Sequence, residues 1–242
     1  MFAYLVMMTE RLLELHRVLK QTGSLYLHCD TTASHYLKLV LDAIFGPQNF
    51  KNELIWQRFS FHADAHRFGR VHDIILFYTK SDNYTWNTQH VKFKDSYIKS
   101  HFTSEDKKGK YTLSDPVARG QGPHRYFSGQ LLEPKTGTHW RWSQENIDRL
   151  IKEGVIVFTK TGRPRVKRYL SDLQGQAVNS IWTDVPVVNS MSKERTGFQT
   201  QKPLKLLERI ILASSNEGDI VLDPFCGCGT SVMASHKLNR RW

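Results

Sequence analysis

The 242-residue sequence predicts an α/β protein: a sheet with helices on both faces, interrupted by an inserted region of mixed α+β character. Three observations carry this. Apolar residues recur at helical spacing in 7–20, 32–45 and 204–211. Short apolar runs of strand type stand at 24–28, 53–58, 73–79 and 219–223. Between Asn83 and Pro186 that regularity gives way to an aromatic, basic and irregular stretch.

In the first helix Met8, Leu12, Leu15 and Leu19 share a face, with Glu10, Arg11, Glu14, Arg17 and Lys20 between them. Gly23 is expected to end it as a left-handed cap. Ser24–His28 reads as a strand closing on Cys29 and Asp30. A second helix is expected from Thr32 to Phe45, stopped by Gly46-Pro47. Strands follow at Glu53–Arg58 and Asp73–Thr79. The second is a nearly continuous apolar run (Ile74, Ile75, Leu76, Phe77, Tyr78), as a strand covered on both faces requires.

The insert has turn signals at 120–123 and 135–137, a short helix after Ser143 ending at Gly154, and a strand at 155–158. It is too rich in aromatics for a solvated coil. Regular α/β patterning returns near Thr200, which can cap a helix whose first turn tolerates Pro203. That helix presents Leu204, Leu207, Ile210 and Ile211 on one face. A strand at Asp219–Asp223, a tight turn and a helix from Thr230 complete the chain. The expected divisions are 1–82, 83–186 and 187–242.

The formal net charge is +11, from 34 Lys plus Arg against 23 Asp plus Glu, which favours a polyanionic partner. Basic residues cluster in 92–110 and in 160–168 (Lys160, Arg163, Arg165, Lys167, Arg168). No apolar run approaches the roughly 18 residues of a membrane span, and the N-terminus lacks the features of a secretory signal. A cytoplasmic location is expected. Three cysteines make no disulfide framework, and Cys226-x-Cys228 has no second pair with zinc-ligand spacing. No metal is expected.

The turn Asp223-Pro224-Phe225-Cys226-Gly227-Cys228-Gly229-Thr230 lies between a strand and a helix, at the sheet edge where ligands bind. Two glycines allow close approach of a ligand to the backbone. Position 232 is Val, so the third glycine of a dinucleotide fingerprint is missing, and no lysine follows Gly229 as a phosphate loop demands. An acid at the strand end suits a cationic ligand better than a pyrophosphate.

Together with Thr200-Gln201-Lys202-Pro203-Leu204, this turn closely resembles the DNA amino-methyltransferases that modify adenine N6 or cytosine N4, in their β-type motif order. Segments 17–20, 22–30 and 34–38, then Ile181–Asp184 and Glu194–Gly197, extend the resemblance over roughly 1–82 and 178–242. It implies a Rossmann-like methyltransferase sheet, S-adenosyl-L-methionine as cofactor and site-specific methylation of a flipped base in double-stranded DNA. A cognate restriction endonuclease is an implied partner, and the insert would be the variable target-recognition region. It also implies that Asp223, Pro224, Phe225, Gly227, Gly229 and Thr230 line the methionine end of the cofactor. Thr200, Gln201 and Lys202 would close the same pocket.

The family's catalytic tetrapeptide, Asp/Asn/Ser-Pro-Pro-Tyr/Phe/Trp, is not found in the 242 residues, so no catalytic residue is named. Asp115-Pro116-Val117 and Asp223-Pro224-Phe225 both lack the second proline. The resemblance places the tetrapeptide upstream of Met1, and a ribose-binding acid beyond Trp242, so the chain reads as a fragment at both ends. A gap is then expected between Leu25–Leu27 and Ile220–Leu222, with self-association as one consequence. The rival reading is a non-catalytic DNA-binding or scaffold remnant of the same fold. An RNA or small-molecule methyltransferase is disfavoured by the large basic insert. His28, Asp30, Trp56 and Arg58, at predicted strand ends, read first as structural. The charged run 104–110 reads as a solvated loop, and Trp140-Arg141-Trp142 as the anchor of a small core.

Overall fold

The computed structural model describes residues 1–60, 63–64 and 66–242. They form two compact units, Met1–Gln89 with Ala177–Trp242, and His90–Gln176. The chain opens with α1 (Phe2–Val18), β1 (Ser24–Cys29), α2 (Ser34–Phe45), β2 (Phe50–Gln57) and β3 (His72–Thr79). Then come β4 (His90–Val91), α3 (Asp95–His101), β5 (Ser104–Asp106), β6 (Gly109–Ser114), β7 (Val117–Arg119) and β8 (Arg125–Phe127). These lead to β9 (Gln130–Leu132), β10 (Thr138–Trp140), α4 (Gln144–Lys152), β11 (Ile156–Phe158) and β12 (Pro164–Tyr169). Finally β13 (Gln176–Ala177) and β14 (Ile181–Trp182) precede α5 (Leu204–Ser214) and α6 (Thr230–Lys237).

The sheet of the first unit runs β1-β3-β2-β14, with β3 antiparallel to both neighbours and β14 parallel to β2. The apolar run in β3 has a direct cause. Ile74, Leu76 and Tyr78 pack with Met8, Leu12, Leu37, Leu41 and Phe45 of α1 and α2 on one face. Ile75 packs on the other face with Leu54, Trp56, Trp182, Val185 and Leu206. A strand with helices on both sides has no face to make polar. Each aliphatic side chain so excluded contributes about 1.5–3 kcal/mol.

Residues 83–89 stay with the first unit because Thr85 donates to Thr22 O, and the Asn87 side chain caps α5 through Leu212 O and Ser215 O. Residues 177–186 stay there because β14 extends the sheet. The compact units therefore change over at Gln89/His90 and Gln176/Ala177, inside the span 83–186 expected for the insert.

The second unit has its own core of Phe127, Ile147, Ile156 and Val166 under a sheet ordered β11-β12-β6-β5. Trp140 anchors that core, its indole N–H donating to Leu132 O at 3.0 Å. The Ser143 hydroxyl accepts from Asn146 N–H and caps α4.

Four local expectations need correction. Gly23 does not adopt a left-handed conformation, and α1 ends at Val18 with Leu19 extended. Gly23 is small for steric reasons, since a Cβ there would lie 2.6 Å from Leu19 Cδ1. Thr200 does not cap α5. Pro203 holds the cap position, and Leu204 N–H donates to Glu194 Oε2 at 2.9 Å. The run 104–110 is a β5–β6 hairpin, not a loop, and Asp106 inside it pairs with Lys167 at 2.7 Å.

The expected strand 219–223 is reduced to one bridge, Ile220 with Arg241. No ladder joins 220–222 to 25–27 among the described residues, and β1 pairs with β3 alone. Ile220 and Leu222 are 58% and 60% exposed. A hollow of about 460 Å³ separates α1 (Glu10, Arg11, Glu14, Leu15, Val18) from Leu222 and Pro224.

Candidate ligand-binding site

The turn 223–230 is shaped by its own acid and its two glycines. Asp223 Oδ1 accepts from Phe225 N–H at 3.0 Å, and Asp223 Oδ2 accepts from the Ser231 hydroxyl at 2.6 Å. One carboxylate thus ties the strand end to the first turn of α6. Gly227 and Gly229 take φ of +54° and +79°, a region unfavourable to side chains, and Gly229 N–H closes the turn on Cys226 O at 2.8 Å. A Cβ on Gly227 would press to 3.1 Å from the Phe198 ring, whereas one on Gly229 would meet only Val232 Cβ at 4.0 Å. Gly227 is therefore needed for packing as well as φ, and Gly229 faces more open space.

Segment 194–202 comes to the same place. Phe198 covers Gly227, and Thr196 lies beside Cys228. Gln201 spends its amide on this segment, accepting from Thr196 N–H and hydroxyl at 2.8 and 2.9 Å and donating to Glu194 O at 2.6 Å. Lys202 donates to Thr200 O at 2.9 Å. Burial pushes its ammonium pKa down, with Asp73, Arg58 and Cys228 in electrostatic range. Thr200 lies exposed, offering its carbonyl to Lys202. The two predicted segments are thus neighbours, through Phe198 against Gly227 and Lys202 in electrostatic range of Cys228, while Gln201 and Thr200 bond within their own segment. Pro224 lines the hollow beside α1, and Phe225 is exposed at the rim.

Beside them, at one end of the sheet, is a charged cluster. His28 Nε2 bonds Asp73 Oδ2 at 2.8 Å, and Arg58 Nη1 reaches Asp73 Oδ1 at 3.3 Å. Burial alone would raise the Asp73 carboxyl, but these two partners outweigh it and hold it below the usual carboxylate range. Trp56 is structural, fully enclosed with its indole N–H on Val185 O at 2.7 Å. Asp30 is structural too, accepting from Thr32 and Ala33 N–H at the start of α2.

Sequence reasoning missed the supports. Glu194, Thr196 and Phe198 hold the covering segment, whereas the resemblance includes Glu194–Gly197 without giving those residues a role. Arg209, 7% exposed, clamps Asp184 with contacts of 2.9 and 2.5 Å and fixes α5. Arg240 is buried and donates to Ser215 O, Ser215 Oγ and Leu238 O, joining the ends of α5 and α6. No spacing rule points to such long-range pairings. Among the described residues no group of three His, Cys, Asp or Glu is placed to hold a metal ion, and no helix is long and apolar enough to cross a membrane.

A family model described as DNA methylase matches residues 2–242. The type II methyltransferase M.EcaI of Enterobacter cloacae is 33% identical over 99% of this chain and 54% of its own length. The Mod subunit of the type III restriction-modification enzyme StyLTI, from Salmonella typhimurium, is 26% identical over 98% of this chain and 38% of its own. The DNA adenine methyltransferase YhdJ of Escherichia coli is 27% identical over 92% and 55%. The chain thus spans about half the length, or less, of these curated relatives. The solved structure of TTHA0409 from Thermus thermophilus shares the fold, at TM-score 0.50 and 17% identity over 99% of this chain and 70% of that one.

Proposed function

The chain belongs to the DNA methylase family, and from that premise we propose that it serves site-specific methylation of double-stranded DNA at adenine N6 or cytosine N4. S-adenosyl-L-methionine supplies, when bound, a methyl group already activated on a sulfonium. The observation that carries this reading is the turn 223–230. It sets a hydrogen-bonded carboxylate beside two positive-φ glycines, under a separate covering segment. The fit is chemical: Asp223 offers negative charge to a cationic ligand, Gly229 leaves room, and Phe225 is free at the rim.

In this reading Asp223, Pro224, Phe225, Gly227, Gly229 and Thr230 line the cofactor site. Thr200 and Lys202 close it, and Gln201 acts by holding the 194–202 segment in place. The second unit is the target-recognition region. Lys160, Arg163 and Arg168 suit phosphate contact, because no carboxylate among the described residues lies within ion-pair distance of them. Arg165 and Lys167 in the same cluster are already engaged with Asp115 and Asp106. A cognate restriction endonuclease is the proposed protein partner, supported by relatives that are Mod subunits of restriction-modification enzymes. Among the described residues one edge of β1 has no partner strand, which supports self-association. Three free cysteines fit the cytoplasm.

Calorimetry with S-adenosylhomocysteine on the parent and on Gly229→Val tests the site. The parent should bind, and the valine should abolish or strongly weaken binding, because a branched side chain at that φ is strained and enters the ligand's space. Equal affinities would remove the turn from the site.

A further inference from the structure

Cysteines are the one reactive group at the turn that ligand binding leaves unexplained, and their three environments differ sharply. Cys29 is buried at the end of β1, and burial pushes its thiol up to about 12. Cys226 is exposed. Cys228 is half-buried at the start of α6, its Sγ 3.4 Å from Thr230 Oγ1. Burial alone would raise the Cys228 thiol. The Thr230 hydroxyl beside it and the N–H groups of Cys228 and Thr230 outweigh it and hold it below the ordinary cysteine range. A thiolate stabilised at a helix start is the reactive form of cysteine.

The spacing makes Cys226 a partner for it. Two residues apart, their Cα atoms can separate by at most about 7.6 Å, and a bend at the residue between brings them inside the roughly 4.4–6.8 Å span of a disulfide. That residue is Gly227, at φ +54°, with the turn closed behind it by the Gly229–Cys226 hydrogen bond.

We propose that Cys226 and Cys228 form an oxidation-sensitive dithiol, which a hydroperoxide converts to an intrachain disulfide that shuts the turn to its ligand. The Cys228 thiolate attacks one peroxide oxygen and the O–O bond breaks. Hydroxide leaves and is protonated to water, and Cys228 becomes a sulfenic acid. Cys226 then attacks that sulfur, the S–O bond breaks, and a second water leaves. Two thiols lose two electrons in all, and one peroxide gains them. The effect on the ligand rests on the cofactor reading above, whereas the oxidation itself does not.

The test treats the reduced full chain with hydrogen peroxide, followed by peptide mass spectrometry and calorimetry with S-adenosylhomocysteine. The peptide holding both residues should lose the mass of two hydrogens while Cys29 stays reduced. Dimedone should trap a sulfenic acid on Cys228 in Cys226→Ser and none on Cys226 in Cys228→Ser. Binding should be lost on oxidation and return with dithiothreitol. Thiols that stay reduced, or a disulfide form that binds as well as the dithiol, would overturn the proposal. If the reduced parent binds no S-adenosylhomocysteine, the cofactor reading and the proposed blockade fail together, while the mass change would still establish the dithiol.

Discussion

Residues 74–78 and 220–222 are both apolar runs of strand type, yet they end in opposite circumstances. The first became the centre of the sheet, paired on both edges and covered on both faces. The second makes a single bridge among the described residues, Ile220 and Leu222 remain more than half exposed, and Leu222 lines the hollow along α1. Residue type does not separate them. A strand is a relation between two chains of peptide groups, and β-propensity is realised only where a neighbour supplies donors and acceptors. The candidate site hangs on the less supported run. What steadies it lies elsewhere, in Arg240 joining α5 to α6, Asp223 joining the turn to Ser231, and Phe198 covering Gly227.

The largest effect expected is a complete one. Incubated with mixed-sequence DNA and tritiated S-adenosylmethionine, this chain should incorporate no label, since no Asp/Asn/Ser-Pro-Pro-aromatic element is present to orient an exocyclic amine. Counts above a no-protein control would show that the acceptor site is built otherwise. Next, Leu76→Ala should destabilise the protein in urea by about 2–5 kcal/mol through cavity formation. Leu222→Ala should stay within about 0.5 kcal/mol. Similar losses at both positions would mean that 219–222 is packed in solution, and the contrast would collapse.

Hydrogen exchange reads the same contrast amide by amide. Residues 74–78 should exchange at least ~100-fold more slowly than 219–222, because their opening needs disruption of the sheet. Equal protection would place a partner on the second run.

A smaller effect concerns the clamp beneath α5. Hydrogen bonds from Arg209 hold the Asp184 carboxyl at about 2, against an ordinary 3.8. A carboxyl depressed in the folded state contributes stability above its unfolded pKa, and loses it as the pH falls. The urea midpoint should therefore drop between about pH 4 and pH 2 in the parent, and less steeply in Asp184→Asn. Parallel pH profiles in the two proteins would deny the clamp its role.

The sequence by itself determined the α/β class, the helical and strand segments of 1–79, an irregular central region with its own small core, and the glycine turn as the candidate site. These are short-range matters. Helical and alternating periods, turn residues and a two-faced apolar run are written within a dozen residues of one another. Tertiary structure alone decided the sheet order, with β3 beside both β1 and β2, and the limits of the two compact units, set by Thr85, Asn87 and β14. It also revealed that Gly23 is small to spare Leu19, that Glu194 rather than Thr200 accepts the first N–H of α5, and that 219–223 finds no ladder among the described residues. Each depends on a partner distant in the chain, and the free energy of a hydrogen bond or a packed face belongs to the pair, which no local pattern records.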